Sequence, residues 1–348
     1  VRAVIIGAGV AGMSIGWRLL QAGWEVTILD RGQPGFGATW AAAGMLAVTA
    51  ELEDAVQPEL DFALESNQLW PGFATELEQA SGRDIGFIRS GSLLLAADAA
   101  ELEAMRPRGT LVDGPGARAL APLLGNLVGG LWVPGEAHVD PRLLAEALAI
   151  AFLKAGGALI PNEAVVTIER RDGKAVSVLT PYGRHGADAF VIAAGAWSGL
   201  LDIPVTPVKG EMIVLAPPEG VALPGPMIWG NGIYCVPRRD RLLIGATVQQ
   251  AGFDTALTAG ARDHLRGRAE GLMPSLKEWT LADHWAGLRP GSPDGLPLLG
   301  PTATENLFVA GGQYRNGILF APAIAQDMAD LVRGQGRIIA EFDPRRFA

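Results

Sequence analysis

The run Val4-Ile5-Ile6-Gly7-Ala8-Gly9-Val10-Ala11-Gly12 sets the fold class. Val4, Ile5 and Ile6 are apolar and β-branched, as expected of a strand buried on both faces in a parallel sheet. Gly7, Gly9 and Gly12 follow at G-x-G-x-x-G spacing, and Ala11, Ile15 and Leu19 then share one face of a helix. The first glycine permits a tight turn and the second lets a pyrophosphate approach the backbone. The third lets helix and strand pack closely, while the helix N-terminus supplies N–H groups and partial positive charge. Gly23 closes the helix, residues 24–29 read as a second strand, and Asp30 ends it where an acid binds ribose hydroxyls. Strand, helix, strand and terminal acid together make a dinucleotide-binding βαβ unit.

Similar apolar strands recur at 190–195 and 307–310, so the nucleotide domain is discontinuous. Between them the chain changes character. Residues 58–80 and 98–124 read as helical, with Pro71 interrupting the first. Val139-Asp140-Pro141 is an N-cap with a first-turn proline, opening a helix through residue 154. A strand pair is expected over 164–180 around Arg171-Asp172-Gly173-Lys174. A meander follows over 208–215, 234–237 and 242–247, turning near Arg238-Arg239-Asp240. A helix over 259–272, a strand over 277–288 and a last helix over 318–333 complete the pattern. The fold class is α/β, a Rossmann-like domain over 1–80, 137–200 and 287–348. It is interleaved with a mostly antiparallel, α+β second domain over 81–136 and 201–286.

The chain has 348 residues, 49% apolar and 19% charged, which is enough to bury a sizeable core. A net charge of −9 argues against nonspecific nucleic-acid or anionic-membrane binding, which need a basic face. Cys235 stands alone, so neither an internal disulfide nor a thiolate metal cluster is expected. His138, His185, His264 and His284 are scattered without metal-ligand spacing, and G-x-S-x-G and P-loop lysine motifs are missing. With no secretory pattern and no long apolar run, a soluble cytoplasmic protein is the expectation. The 46 glycines exceed the usual share and must have local roles.

Three further segments carry chemistry. Gly37-Ala38-Thr39-Trp40-Ala41-Ala42-Ala43-Gly44-Met45-Leu46 is either a loop that lets backbone N–H groups approach phosphates and a flat ring, or an ordinary loop feeding a tightly packed helix. In Gly287-Leu288-Arg289-Pro290-Gly291, the arginine reads as a bidentate carboxylate clamp or as a surface residue that ends a strand. Gly311-Gly312 precedes Arg315-Asn316-Gly317-Ile318, where a helix starting near Gly317 would point its N-terminus at the electron-rich edge of a reduced flavin.

Taken together with residues 191–198, 208–212 and 234–237, these motifs resemble the D-amino-acid oxidase superfamily of flavoenzymes, in particular its glycine oxidase branch linked to thiamine biosynthesis. The resemblance spans the whole chain. It implies a noncovalent FAD held by Gly7, Gly9, Val10, Ala11, Gly12, Asp30 and Arg31. The flavin loop would contribute Thr39, Ala42, Ala43, Gly44 and Met45, and Val165 or Val166 would reach the adenine side through its backbone. Ala194, Gly195, Gly287, Arg289, Arg315, Asn316, Gly317, Ile318 and Leu319 would complete the cofactor site. It further implies that Arg289 grips the substrate carboxylate, assisted by the Tyr234 hydroxyl, with Arg315 as a second arginine. No metal is implied.

The implied reaction is oxidative deamination of glycine, sarcosine or D-alanine, with hydride passing from Cα to flavin N5. It yields an imine, then a 2-oxo acid and ammonia, with molecular oxygen reduced to hydrogen peroxide. A role in thiazole formation and a homo-oligomeric state accompany the resemblance. Val248, Gly232 and the pair Gln313-Tyr314 depart from the branch's pattern, which leaves the substrate side chain open. Cys235 lies in the meander, away from the C-terminal flavin strand, which argues against covalent attachment. The alternatives are a dehydrogenase of the same family using another electron acceptor, and a noncatalytic flavin-binding protein.

Overall fold

In the computed structural model, which describes residues 1–52, 55–223 and 225–348, Arg2–Ile6 lies inside a six-stranded sheet. The strand order is Leu298–Pro301, Leu307–Gly311, Ala189–Ile192, Arg2–Ile6, Glu25–Leu29 and Ala158–Ile160. All neighbours run parallel except the antiparallel edge strand Leu298–Pro301. Alternation divides the opening strand between two cores. Ile5 joins Met13, Leu148 and Ile324 beneath the helices Val10–Gln21, Pro141–Lys154 and Ala321–Val332. Val4 and Ile6 join Ile168 and Val178 beneath a second layer, the three-stranded sheet Thr167–Arg171, Lys174–Thr180 and Gly183–Gly186. Burial on both faces is what an uninterrupted apolar strand requires.

A second sheet has eight strands, in the order Thr280–Gly291, Thr206–Ala216, Arg241–Gly245, Ile233–Arg238, Met227–Gly230, Ser92–Leu95, Gly129–Val133 and Thr110–Asp113. Its pairings are antiparallel apart from Met227–Gly230 beside Ser92–Leu95. Ile213, Cys235 and Ile244 face the helix Ala259–Leu272. Met212, Val236 and Trp285 face the other way, against Ala41, Ala43 and Ala47. The small-residue segment that follows the second strand is thereby held between the two sheets. We propose the domain division along these two sheets; residue 287 lies within Thr280–Gly291, which belongs to the larger one.

Local signals hold where they are self-contained. Asp140 caps Pro141–Lys154 by accepting from the N–H groups of Arg142 and Leu143, at 2.9 and 3.4 Å. Three expectations are corrected. Gln57–Ser81 runs unbroken through Pro71: burial of Trp70, Phe73, Ala74 and Leu77 sustains the helix despite the lost N–H. Residues 98–124 are not helical throughout, because Thr110–Asp113 pairs with Gly129–Val133 between the short helices Ala99–Ala104 and Gly114–Leu120. Tertiary pairing overrides local propensity there. The last helix begins at Ala321 instead of near Gly317. No described helix is long and apolar enough to cross a membrane.

Candidate active site

A cavity of about 1390 Å³ runs between the two sheets. At one end its wall is the glycine turn, with Gly7, Gly9, Val10 and Ala11, then Asp30 and Arg31. Gly7 has φ +110°, and a Cβ on it would lie 2.3 Å from the Ala193 carbonyl oxygen. Gly12 does not line the cavity. A Cβ there would sit 1.9 Å from the Gly7 oxygen, so its absence lets the helix close on the turn. The Asp30 carboxylate accepts from the N–H groups of Ala8 and Gly32, at 2.6 and 2.8 Å. These bonds aim it along the strand end and leave lone pairs for ribose hydroxyls. Val165, Val166, Ala194 and Gly195 line the same half, and the Arg31 guanidinium lies 4.3 Å from the Trp197 ring.

The middle of the cavity is bounded by Thr39, Ala42, Ala43, Gly44 and Met45. The larger sheet fixes this loop. Trp285 Nε1 donates to the Ala41 carbonyl at 3.1 Å, and the Arg238 guanidinium donates to the carbonyls of Ala43 and Val139. Arg142 lies 3.7 Å from the Trp40 ring and 4.7 Å from that of Trp285, a cation–π contact with both. Thr39 Oγ1 accepts from the Val10 N–H at 2.9 Å, tying the loop to the helix N-terminus. Opposite stand Gly287, Arg315, Asn316, Gly317 and Ile318. Leu319 points elsewhere: its carbonyl accepts from Ser66 Oγ and Trp70 Nε1, at 2.7 and 2.9 Å, which pins the preceding turn to the long helix.

These features fit FAD. The cavity joins a helix N-terminus for phosphates to a wide apolar chamber. Gln313, only 6% exposed, lines that chamber, and its buried amide Nε2 has no partner among the described residues. A buried orphan donor at a cavity wall is what a ligand acceptor would satisfy. Cys235 is fully buried on the helix-covered face of the sheet, and burial pushes its thiol up to about 12. It is not among the cavity-lining residues, consistent with a noncovalent cofactor.

The far end carries the polar groups. Arg289 lies across Gly210 of the neighbouring strand, where a Cβ would stand 2.2 Å from its Nη1. Its Nη1 also donates to the Thr247 carbonyl at 3.2 Å. Tyr234 lies across Gly245 in the same manner, with a Cβ position 2.4 Å from its hydroxyl. Burial raises the Tyr234 phenol above its ordinary range, against the pull of Arg289, so it is a hydrogen-bond donor at neutral pH. Burial alone would lower Arg315, but the charges of Glu51, Tyr314 and Tyr234 raise it overall. On the opposite face of the strand, buried Glu211 accepts from Thr258 and pairs with Lys209 and His284. The Glu211 backbone N–H donates to Thr247 Oγ1 at 2.8 Å, holding the residue whose carbonyl accepts from Arg289. Val248, Gly232 and Tyr314 also line this end.

One residue here belongs to no recognised motif. Glu51 lines the cavity near Arg289 and Arg315, and burial pushes its carboxyl up to about 7 against both guanidinium groups. A faint signal exists in the sequence, since Glu51 is the first charged residue after the uncharged stretch 32–50.

Comparison with known proteins gives the family and the fold. A family model described as DAO, FAD dependent oxidoreductase, matches residues 2–331. The bifunctional protein ThiO/ThiG of Synechocystis sp. is 38% identical over 99% of this chain, which spans only 54% of that protein's length. Glycine oxidase of Geobacillus kaustophilus is 37% identical, over 94% of this chain and 92% of its own. The crystal structure of glycine oxidase from Geobacillus kaustophilus superposes with a TM-score of 0.93 at 35% identity, covering 99% of both chains. Its fold is therefore this fold, a Rossmann-like domain joined to a second domain. The chain belongs to the DAO family of FAD-dependent oxidoreductases.

Proposed function

We propose that the protein oxidises glycine or a similarly small amino acid, sarcosine or D-alanine, with oxygen as the final electron acceptor. The observation that carries this reading is the convergence of Arg289 and Tyr234 over two glycines at one end of the cavity. A planar, permanently charged fork beside a phenol donor matches an amino-acid carboxylate. The names of the relatives, glycine oxidase and ThiO/ThiG, support the substrate class and a role in thiazole formation for thiamine.

FAD, when bound, supplies the acceptor for the electron pair leaving the substrate Cα. Gly7, Gly9, Val10, Ala11 and Asp30 would hold its dinucleotide part, and residues 39–45 with 315–318 its ring system. Arg289 and Tyr234 fix the carboxylate and so orient Cα relative to the chamber. The apolar walls, among them Met45, Met212 and Ile318, keep water from the reacting carbon. The imine so formed is hydrolysed to the 2-oxo acid and ammonia. We also assign a cytoplasmic location and self-association into a homo-oligomer; a monomer in size-exclusion chromatography would refute the latter.

The test is an anaerobic screen of the yellow holoenzyme with glycine, sarcosine and D-alanine. Bleaching by at least one, and peroxide in aerated buffer, are expected. A colourless protein, or a flavin that none of them bleaches, would overturn the reading. Bleaching without peroxide would assign a dehydrogenase.

A further inference from the structure

Among the described residues the cavity has two carboxylates, Asp30 at the dinucleotide end and Glu51 at the substrate end. The oxygens of Asp30 are engaged by backbone N–H groups. No described residue makes a hydrogen bond or ion pair with the Glu51 carboxylate, although Arg289 and Arg315 are within electrostatic reach. Its position is nonetheless fixed. The short helix Val48–Glu51 is held by the buried Glu136, whose Oε1 accepts from the Thr49 N–H at 2.6 Å, and by Arg108, which donates to the Thr49 carbonyl at 2.8 Å.

An amino acid enters as a zwitterion, and its ammonium nitrogen has no lone pair. The electron pair cannot leave Cα to give C=N until one N–H proton has gone. With the carboxylate gripped by Arg289 and Tyr234, the nitrogen lies one carbon away, at the same end as Glu51. We propose that Glu51 accepts the ammonium proton of the bound substrate. The N–H bond breaks, its electron pair stays on nitrogen as the lone pair that forms C=N, and the proton forms an O–H bond on Glu51. The proton then passes to solvent before the next turnover.

The surroundings suit this role. The groups facing Glu51 are Arg289 and Arg315, which favour the carboxylate, Glu136, which disfavours it, and the phenol of Tyr234. Burial outweighs them and brings the carboxyl up to about 7, near the operating pH of an efficient general base. The inference rests on the reading of the protein as an amino-acid oxidase.

The experiment compares kcat/KM for glycine across pH in the FAD-loaded wild type and in Glu51→Gln. The wild type should show an acid limb with an apparent pKa of about 7. The variant should lose that limb, fall about 10²-fold at neutral pH, and recover once the pH passes the pKa of the substrate amine itself. Inhibition by acetate, which has the carboxylate but no amine, should be unchanged. An unchanged pH profile in Glu51→Gln, or an equal loss at every pH with weaker acetate binding, would overturn the proposal alone. Wild-type enzyme that oxidises no small amino acid would overturn the functional reading as well.

Discussion

Gly210→Ala tests the carboxylate clamp without altering a charge. Gly210 sits in the ladder opposite Gly287, with no unusual backbone angle, so alanine fits the strand. Its Cβ would stand 2.2 Å from Arg289 Nη1, 2.5 Å from Nη2 and 2.6 Å from Cζ. Ordinary contact begins near 3.4 Å, so the guanidinium must retreat by 3.4 − 2.2 = 1.2 Å. The retreating group is the end of a flexible side chain, so the fold should tolerate the change, within about 1 kcal/mol of wild type. Substrate positioning should not tolerate it. A misplacement of about 1 Å costs roughly 10²-fold, or about 2.7 kcal/mol in the barrier. Steady-state kinetics with glycine read the loss in kcat/KM, and thermal unfolding of the holoenzyme checks the fold. Wild-type kcat/KM in a well-folded Gly210→Ala would show that Arg289 does not grip the substrate from the position described.

Arg289→Lys should raise KM and lower kcat/KM by about 2–4 kcal/mol, since an ammonium cannot form the bidentate contact; unchanged glycine oxidation would remove Arg289 from this role. Gly7→Ala combines a φ of +110° with a Cβ position 2.3 Å from a carbonyl oxygen. It should yield protein without FAD, seen as loss of the yellow absorbance on purification, and a fully loaded variant would contradict the phosphate turn. His138 is buried beside Arg238, and burial first, then that charge, lowers its pKa from 6.5 to about 4. Between those values the unfolded chain binds the proton and the folded one does not, so stability falls as pH falls, by about 3 kcal/mol in all. Denaturant titrations of His138→Gln should show a shallower loss over that interval; an identical slope would refute the assignment.

The opening βαβ unit was legible because its information is local. Three glycines at set spacing, a β-branched strand and a terminal acid act on neighbours along the chain, as do Asp140 and Pro141 at the start of their helix. Short strands of the larger sheet are harder to read. Ser92–Leu95 lies between Met227–Gly230 and Gly129–Val133, and Thr110–Asp113 pairs with Gly129–Val133, so both owe their conformation to partners well separated along the chain, and their own residues show no distinctive period.

Composition and spacing alone establish a dinucleotide-binding α/β protein with an arginine framed by glycines near its end. They leave that arginine with two readings, a clamp or a strand terminus. Tertiary structure adds the placement, for a steric reason: the register of Thr206–Ala216 beside Thr280–Gly291 lays the guanidinium over Gly210 at the cavity wall, where no side chain blocks it, and the clamp proposed above rests on that placement. The same holds for Tyr234 over Gly245. Glu51 is the extreme case. Along the chain only its place after the uncharged stretch 32–50 marks it, and its raised pKa arises from desolvation in the cavity between the two sheets.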